Sequence, residues 1–233
     1  MSIDINKVYK TVLVILEQEK RGVLTPTEFG RVATQAQQEV FTSYFDELNQ
    51  LLRMPQTSLA YADRMALLDE KISLFKRSES LTIVAQEITP SSAVQELGSV
   101  IYTENIPGRE MQRIQQQDVY TVNESPLTKP TAFYPVYTYE NKIIKVYPSN
   151  LSGTIQLNYL SFPEDVKWGF TIDPELGNYI YNPLNSVDFE LHESDQPLLI
   201  DKILGYAGVM SKDQLALSLG SQKEQQINAD SQK

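Results

Sequence analysis

The sequence predicts an α+β protein with an N-terminal helical hairpin or bundle, a central small antiparallel β-domain with long loops, and C-terminal helices that pack back on the bundle. Three observations lead to this prediction. Apolar residues recur at helical spacing in the first third of the chain. Short runs rich in β-branched and aromatic residues follow, separated by Pro, Gly, Asn and Ser. The helical period returns after Pro197, so we divide the chain into a helical part (1–77), a β-rich domain (78–194) and C-terminal helices with a polar tail (195–233).

Three helices are predicted in the N-terminal part. The second begins at a capping box, in which Thr25 is the N-cap, Pro26 takes the first helical position and Glu28 follows three residues after the cap. Its apolar stripe continues for about 28 residues, which corresponds to about 42 Å of helix. A third helix is predicted over 59–76. The first helix carries a shorter stripe, made of Ile5, Val8, Tyr9, Val12 and Leu16.

The middle of the chain is predicted to form short antiparallel strands. Glu140 and Asn141 favour a tight hairpin turn, and 148–153 is a second connection. Nine of the 12 prolines lie between Pro90 and Pro183, where they fit the edges and loops of a sheet. The predicted strands cover 81–84, 100–102, 119–122, 136–139, 142–147 and 154–160.

The C-terminal part is predicted to contain two helices. Asp195 is the natural cap of the first, and a second helix begins near Ser211. Leu215 and Leu219 of that second helix are four residues apart, so both fall on one face and are candidate partner-interface residues. The alternative, that these leucines only cover the helical bundle, stays open. The polar tail over 222–233 is predicted to be frayed or to become ordered only on a partner.

Composition restricts the chemistry that the chain can perform. The 233 residues include no cysteine and a single histidine, which excludes disulfides, a thiol nucleophile and cysteine-ligated metals. No glycine-rich phosphate loop is present. The formal net charge of −10 lacks the positive footprint of non-specific nucleic-acid or membrane binding. We therefore predict a protein that is not an enzyme and has no catalytic, cofactor-binding or metal-binding residues.

Two sets of polar residues allow more than one interpretation. His192 lies among carboxylates over 188–195, which suggests either a carboxylate–histidine site or a helix start with acids near the helix N-terminus. The helix start is favoured, because no second histidine or suitably spaced nucleophile accompanies His192. The glutamines Gln35, Gln37 and Gln38 are expected to be solvated or to form polar subunit contacts.

Membrane insertion and export are not expected. No run of 18 apolar residues occurs, and the first 20 residues are interrupted by charges. We therefore expect a soluble protein that is made in a cytoplasm.

Ten stretches spread over roughly residues 5–225 carry a resemblance to known proteins. They are 6–9, 19–29, 35–41, 44–45, 134–137, 144–148, 157–163, Trp168, 188–191 and 199–204. These stretches resemble a family of virion structural proteins from crAss-like and related short-tailed bacteriophages that infect Bacteroidetes. More distantly, the chain is similar to the tail-adaptor (tail tubular) proteins of podoviruses, which ring the underside of the portal.

This resemblance implies a ring or neck protein that connects head to tail. Its expected partners are further copies of itself in a homo-oligomeric, dodecameric ring, the portal protein, and other neck or tail proteins. Genomic DNA would pass through without specific binding, because an acidic wall repels it. The implied location is the neck or tail of the virion, and the host cytoplasm during assembly. The family offers no catalytic residues to carry over.

Three other functions stay open at this point. The chain could be an acidic assembly chaperone or scaffold that leaves the finished particle. The aromatic-rich β segment could belong to a host-attachment module that binds carbohydrate. An enzyme centred on His192 and nearby carboxylates is the third.

Overall fold

The chain folds into two compact units. A computed structural model describes residues 2–18, 24–53, 59–104, 108–175 and 177–210. The first unit, here the helical unit, combines residues 1–74 with 163–233. The second, here the β unit, comprises residues 75–162 and is inserted in the sequence of the first. The predicted α+β class is confirmed.

The division into units differs from the boundaries 1–77, 78–194 and 195–233. Residues 163–194 belong to the helical unit, because their polar groups are satisfied by the second helix. The N–H of Val166 donates to Oγ1 of Thr34 at 3.0 Å. The side-chain amide of Gln37 binds the main chain at Glu164.

The four helices of the helical unit agree closely with their predicted bounds. In the helical unit they are α1 (Ile5–Gln18), α2 (Pro26–Arg53), α3 (Leu59–Ser73) and α5 (Gln196–Met210), and the β unit contains the short α4 (Val119–Glu124). The third helix ends at Ser73 and not at residue 76, because Lys76 is the first residue of a strand. The predicted helix from Ser211 lies outside the described residues, as do Leu215, Leu219 and the polar tail.

The predicted capping box at the start of α2 is confirmed. The N–H of Thr25 donates to Oε2 of Glu28 at 3.0 Å, and the N–H of Glu28 donates to Oγ1 of Thr25 at 3.4 Å. These hydrogen bonds satisfy main-chain donors that a helix N-terminus otherwise leaves open. Hydrogen bonds from the hydroxyl and the N–H of Thr25 also lower the pKa of Glu28 below its usual value.

The β unit contains two four-stranded sheets. One sheet has the order β1-β8-β3-β4 and the other has the order β2-β7-β6-β5. All neighbouring strands are antiparallel except β5 and β6, which are parallel. The strands are β1 (Lys76–Thr82), β2 (Glu87–Ile88), β3 (Val94–Tyr102), β4 (Arg109–Glu110), β5 (Gln112–Arg113), β6 (Val136–Glu140), β7 (Ile143–Tyr147) and β8 (Thr154–Ser161).

The two sheets share one apolar core. Burial alternates strictly along β8, where Ile155, Leu157 and Tyr159 face the core. Ile144 and Val146 of the other sheet are buried in the same cluster. This alternation is the pattern of antiparallel strands that cover a core on one face only.

The turn between β6 and β7 follows its sequence signal. Its two central residues, Asn141 and Lys142, both have positive φ, at 49° and 66°. This is the type I′ arrangement that matches the twist of a two-residue hairpin, and Asn tolerates it well. The turn predicted at Glu140 and Asn141 is therefore correct to within one residue.

Two strand predictions need correction. Residues 119–122 are not a strand but form most of α4, which follows a 3₁₀ turn over Gln116–Asp118 and buries no residue. Their β-branched side chains favour a strand only where a neighbouring strand pairs with them, and α4 has no such neighbour. The first strand occupies Lys76–Thr82 and not 81–84, because it pairs with β8 along its whole length.

We predict that Thr25→Ala lowers the free energy of unfolding by about 1 kcal/mol, because the N-cap of α2 is lost. Chemical denaturation monitored by circular dichroism measures the change. Thr42→Ala is the matched control, since the Thr42 hydroxyl bonds only the carbonyl of Gln38 within the same helix. The control should be neutral or slightly stabilising. Equal effects of the two substitutions would contradict the capping role.

Candidate functional site

His192 serves as a helix cap in this structure. Its Nδ1 accepts the N–H of Ser194 at 3.2 Å and lies 2.8 Å from the Ser194 hydroxyl. His192 is thereby the N-cap of a 3₁₀ turn over Glu193–Asp195 that leads directly into α5. Nε2 of the ring lies 3.9 Å from Oε1 of Glu70. These contacts agree with the helix-start interpretation of the sequence around His192.

The described parts of the chain contain neither a metal-binding cluster nor a membrane-spanning helix. No group of three or more His, Cys, Asp or Glu residues is placed there to hold a metal ion. None of the helices in these same ranges has the length and apolar character needed to cross a membrane.

Asp195 is the centre of a buried polar cluster and not a simple helix cap. Its Oδ2 accepts the hydroxyl of Tyr44 at 2.6 Å, and its Oδ1 accepts the ammonium of Lys71 at 2.7 Å. Nζ of Lys71 also lies 5.4 Å from the centroid of the Tyr44 ring. The cluster joins α2 and α3 to the start of α5. Burial, followed by the hydrogen bond to Asp195, raises the pKa of Tyr44, so that its hydroxyl stays a donor.

Gln37 connects α2 to both ends of the segment that precedes Asp195. The side chain is fully buried, its Nε2 donates to the carbonyl of Glu164 at 2.7 Å, and its Oε1 accepts the N–H of Glu190 at 3.0 Å. Gln37 therefore makes contacts inside its own chain, which corrects the expectation of solvation or subunit contacts. Gln35 and Gln38 are exposed, in line with that expectation.

An exposed apolar hairpin protrudes from the helical unit. It consists of β9 (Phe170–Ile172) and β10 (Tyr179–Tyr181), with a 3₁₀ turn over Pro183–Asn185 after it. We call these three elements the apolar hairpin. Ile172 pairs with Tyr179 across the two strands and is 60% exposed. Leu184 of the 3₁₀ turn is 92% exposed.

The base of the apolar hairpin is attached to the helices by contacts between tilted aromatic rings. The centroid of the Trp168 ring lies 5.4 Å from that of Tyr181 and 4.7 Å from that of Tyr9. The centroids of Tyr9 and Phe29 are 4.6 Å apart. Burial, then the neighbouring Tyr179 and Glu28, raises the pKa of Tyr9 to about 12. The neutral Tyr9 hydroxyl donates to the carbonyl of Leu24 at 2.9 Å.

The free end of the apolar hairpin is acidic. Asp173 and Glu175 follow Ile172 directly in the turn between the strands, and Glu175 is exposed. Between Lys167 and Lys202 the sequence contains seven acidic residues and no Lys or Arg. The hairpin thus combines exposed apolar side chains with an uncompensated negative charge.

A second exposed apolar surface belongs to the β unit. The connection between β5 and β6, over 114–135, carries four exposed apolar side chains, and we call it the aromatic loop. Leu127 is 97% exposed and Tyr134 is 68% exposed. Large exposed apolar groups on a folded unit are typical of interaction sites. The four side chains are Tyr120, Leu127, Phe133 and Tyr134.

A positive charge from the neighbouring strand β4 lies against the end of the aromatic loop. The guanidinium of Arg109 lies over two of its rings, with Cζ 4.7 Å from the centroid of Tyr134 and 5.7 Å from that of Phe133. Reciprocal main-chain hydrogen bonds between Thr131 and Tyr134, of 3.3 and 3.1 Å, hold the turn that presents these rings. Arg113 on the neighbouring β5 lies over Tyr139 at 5.8 Å.

The sequence predicts long loops in the β-rich part but does not identify the aromatic loop as an exposed apolar surface. The two strands of the apolar hairpin are absent from the predicted strands. Their signal is present, since Phe170–Ile172 and Tyr179–Tyr181 are β-branched or aromatic runs on either side of turn-forming residues. The two predicted interface residues, Leu215 and Leu219, fall outside the described residues.

Comparisons with known proteins do not assign the chain to a family. A scan against models of protein families finds no match, and a search of curated proteins finds none. The features of the chain that bear on function are therefore the apolar hairpin, the aromatic loop and the sequence resemblance.

We predict that Asp195→Asn and Lys71→Met each lower the free energy of unfolding by about 3 kcal/mol, because each leaves a buried charge without its counter-ion. The double variant should lose at least about 1 kcal/mol less than the sum of the two losses, because it leaves no unpaired charge. Denaturant titration of the four proteins measures this coupling. Lys167→Met, which changes an exposed lysine, is the control and should stay within about 0.5 kcal/mol of wild type. Strict additivity would contradict the buried pair.

We predict that stability falls as pH rises from 10 towards 12, in part through Tyr9. In the unfolded chain a tyrosine ionises near its model value of 10.0, whereas folded Tyr9 holds its proton to about 12. Its contribution is therefore complete below pH 10 and is lost as pH rises through this window. Melting temperatures of wild type and Tyr9→Phe between pH 9 and 12 test this. The variant should be less stable at neutral pH but show a shallower alkaline decline, and parallel declines would contradict the prediction.

Proposed function

We propose that the protein is a structural component of a bacteriophage virion, a ring-forming head-to-tail connector that links the portal to the tail and surrounds the DNA channel. The observation that carries this proposal is the presence of two unlike exposed apolar surfaces, one on each compact unit. A cyclic ring forms when one surface of each copy meets a different surface of the next copy. The sequence resemblance to ring and neck proteins of crAss-like bacteriophages supports the same function.

A rigid helical body supports the role of a ring wall. The 28 residues of α2 correspond to about 42 Å of helix, so this one helix provides a long scaffold for the helical unit. Asp195 and Gln37 attach the returning chain to this helix through buried polar contacts. Such a body gives the surface of the helical unit a well-packed support.

The insertion of the β unit suits a subunit that presents two separate surfaces. The chain enters this unit at Phe75 and leaves it near Ser161, and these residues are adjacent, since the N–H of Ser161 donates to the carbonyl of Phe75 at 2.9 Å. The β unit has its own apolar core. Its aromatic loop is therefore presented by a fold that does not depend on the loop itself.

The charge supports passage of DNA without retention. The net charge is −10, and the stretch between Lys167 and Lys202 contains seven acidic residues and no Lys or Arg. An acidic channel wall repels the phosphate backbone, whereas a basic wall would bind it. We place the protein in the neck or tail of the virion, after assembly in the host cytoplasm, with the portal and other neck proteins as partners of a dodecameric ring.

We predict that purified, DNA-filled particles contain the protein in multiple copies and that a gold-labelled antibody against it marks the neck. Quantitative mass spectrometry gives the copy number, and electron microscopy gives the position of the label. Absence from filled particles together with presence in precursors would identify an assembly chaperone instead. A label on fibres, with loss of adhesion when the protein is masked, would identify a host-attachment module. Either result overturns the proposal.

His192→Ala is the control for an enzymatic function in the same particles. Incorporation and infectivity should stay within a small factor of wild type, because the contacts of His192, with Ser194 and Glu70, are those of a helix start and not of a reactive site. Normal incorporation with loss of infectivity would favour the enzyme.

A further inference from the structure

We infer that the two exposed surfaces bind each other between neighbouring copies, so that the apolar hairpin of one copy docks on the Arg109 surface of the next. The Arg109 surface is defined here as Arg109, Arg113, Phe133 and Tyr134. This inference rests on the proposed function, because it names the contact by which the ring would close.

The apolar hairpin has the properties of an inserted element. It is a two-stranded sheet with only three residues in each strand, an arrangement that is marginally stable without further packing. The tilted ring contact between Trp168 and Tyr181 supports its base. Near the turn, Ile172 is 60% exposed, and Tyr179 is 47% exposed although its ring packs edge-on against Phe170. A partner that covers this end would bury apolar area that the helical unit leaves in water.

The Arg109 surface has the properties of an acceptor for that end. Two aromatic rings offer apolar area for side chains such as Ile172 and Tyr179. A guanidinium that lies over aromatic rings can still donate N–H groups in its own plane to a carboxylate. Arg109 is held in this position by Phe133 and Tyr134 before any partner arrives.

Charge favours contact between the unlike surfaces over contact between two identical ones. Two apolar hairpins face to face would bring Asp173 and Glu175 of both copies together without a basic residue of the hairpin to compensate them. Two Arg109 surfaces would likewise bring guanidinium groups together. Like charges at an interface are repelled, whereas opposite charges fix partner and register. The second copy of the chain is therefore the occupant, and the contact is head-to-tail.

Cysteine cross-linking tests this contact on a clean background, because the chain contains no cysteine. The variant Ala132→Cys/Asn178→Cys places one thiol beside each surface at exposed positions and leaves the side chains of the proposed contact in place. We expect a short bis-maleimide to convert it to a ladder of covalent multimers, both in purified particles and in the concentrated full-length protein. Each single-cysteine variant should form no covalent multimers, since identical surfaces do not meet.

The matched control is Val14→Cys/Val84→Cys, which also places one exposed thiol on each unit but outside both surfaces. It should give at least tenfold less ladder than the test pair. Dimers from a single-cysteine variant, an equal ladder from the control, or no ladder from the test pair in either sample would each overturn the inference. Circular dichroism of every variant establishes that it is folded.

Charge reversal gives a second, independent readout in the cross-linking pair. Arg109→Glu and Glu175→Lys should each slow ladder formation by about tenfold, because each juxtaposes like charges. The two reversals together should restore most of the rate. Reversals that leave the rate unchanged, or absence of the ladder from the cysteine pair itself in particles that carry the protein at the neck, would refute the inference and leave the proposed function intact. Absence of the protein from particles would instead refute the proposed function.

Discussion

A buried carboxylate, that of Asp195, is the constraint on which the helical unit depends. A carboxylate removed from water must be both neutralised and hydrogen-bonded, or it destabilises the fold. Lys71 supplies the charge and Tyr44 supplies the hydroxyl, at 2.7 and 2.6 Å. Since these partners come from α3 and α2, the requirements of a single side chain fix where α5 begins. Buried main-chain groups must likewise be hydrogen-bonded, and Gln37 meets this requirement. Its side chain binds the carbonyl of Glu164 and the N–H of Glu190, which are 26 residues apart and not paired in a regular sheet.

This polar bracing explains how an exposed hairpin can be held in a defined orientation. The segment over 163–195 contains little regular structure, yet its main chain is bonded to α2 and to the residues before α1. Trp168 lies near the start of that segment, and its ring packs at a tilt against Tyr9. This contact attaches the base of the apolar hairpin to α1. The aromatic loop of the β unit is presented in a comparable way, since Pro130 and Pro135 near its end are buried while Phe133 and Tyr134 between them are exposed. In both cases a well-packed base carries apolar groups into solvent.

The proposed connector function follows from this arrangement of chemistry and not from any reactive group. Each unit contributes one surface, one surface is acidic and the other contains stacked arginines, and the overall charge is negative. A pair of surfaces that complement each other but not themselves leads to head-to-tail assembly, which closes only if the rotation per copy divides a full turn. Acidic residues that are not used in that contact would face solvent or DNA, where repulsion keeps the DNA free to move.

Local features are what the sequence alone determined. The stripe of α2, the capping box at Thr25 and Glu28, and the Asn141 turn depend on residues close in the sequence, so their patterns predict the structure directly. Tertiary structure decided the rest. Residues 119–122 have the composition of a strand but no strand to pair with, and they are helical. The partners of Asp195 lie 151 and 124 residues away, and those of Gln37 lie 127 and 153 residues away. The apolar periodicity of a sequence does not predict hydrogen bonds at such separations. They form only when the chain folds back on itself and the buried polar groups need partners.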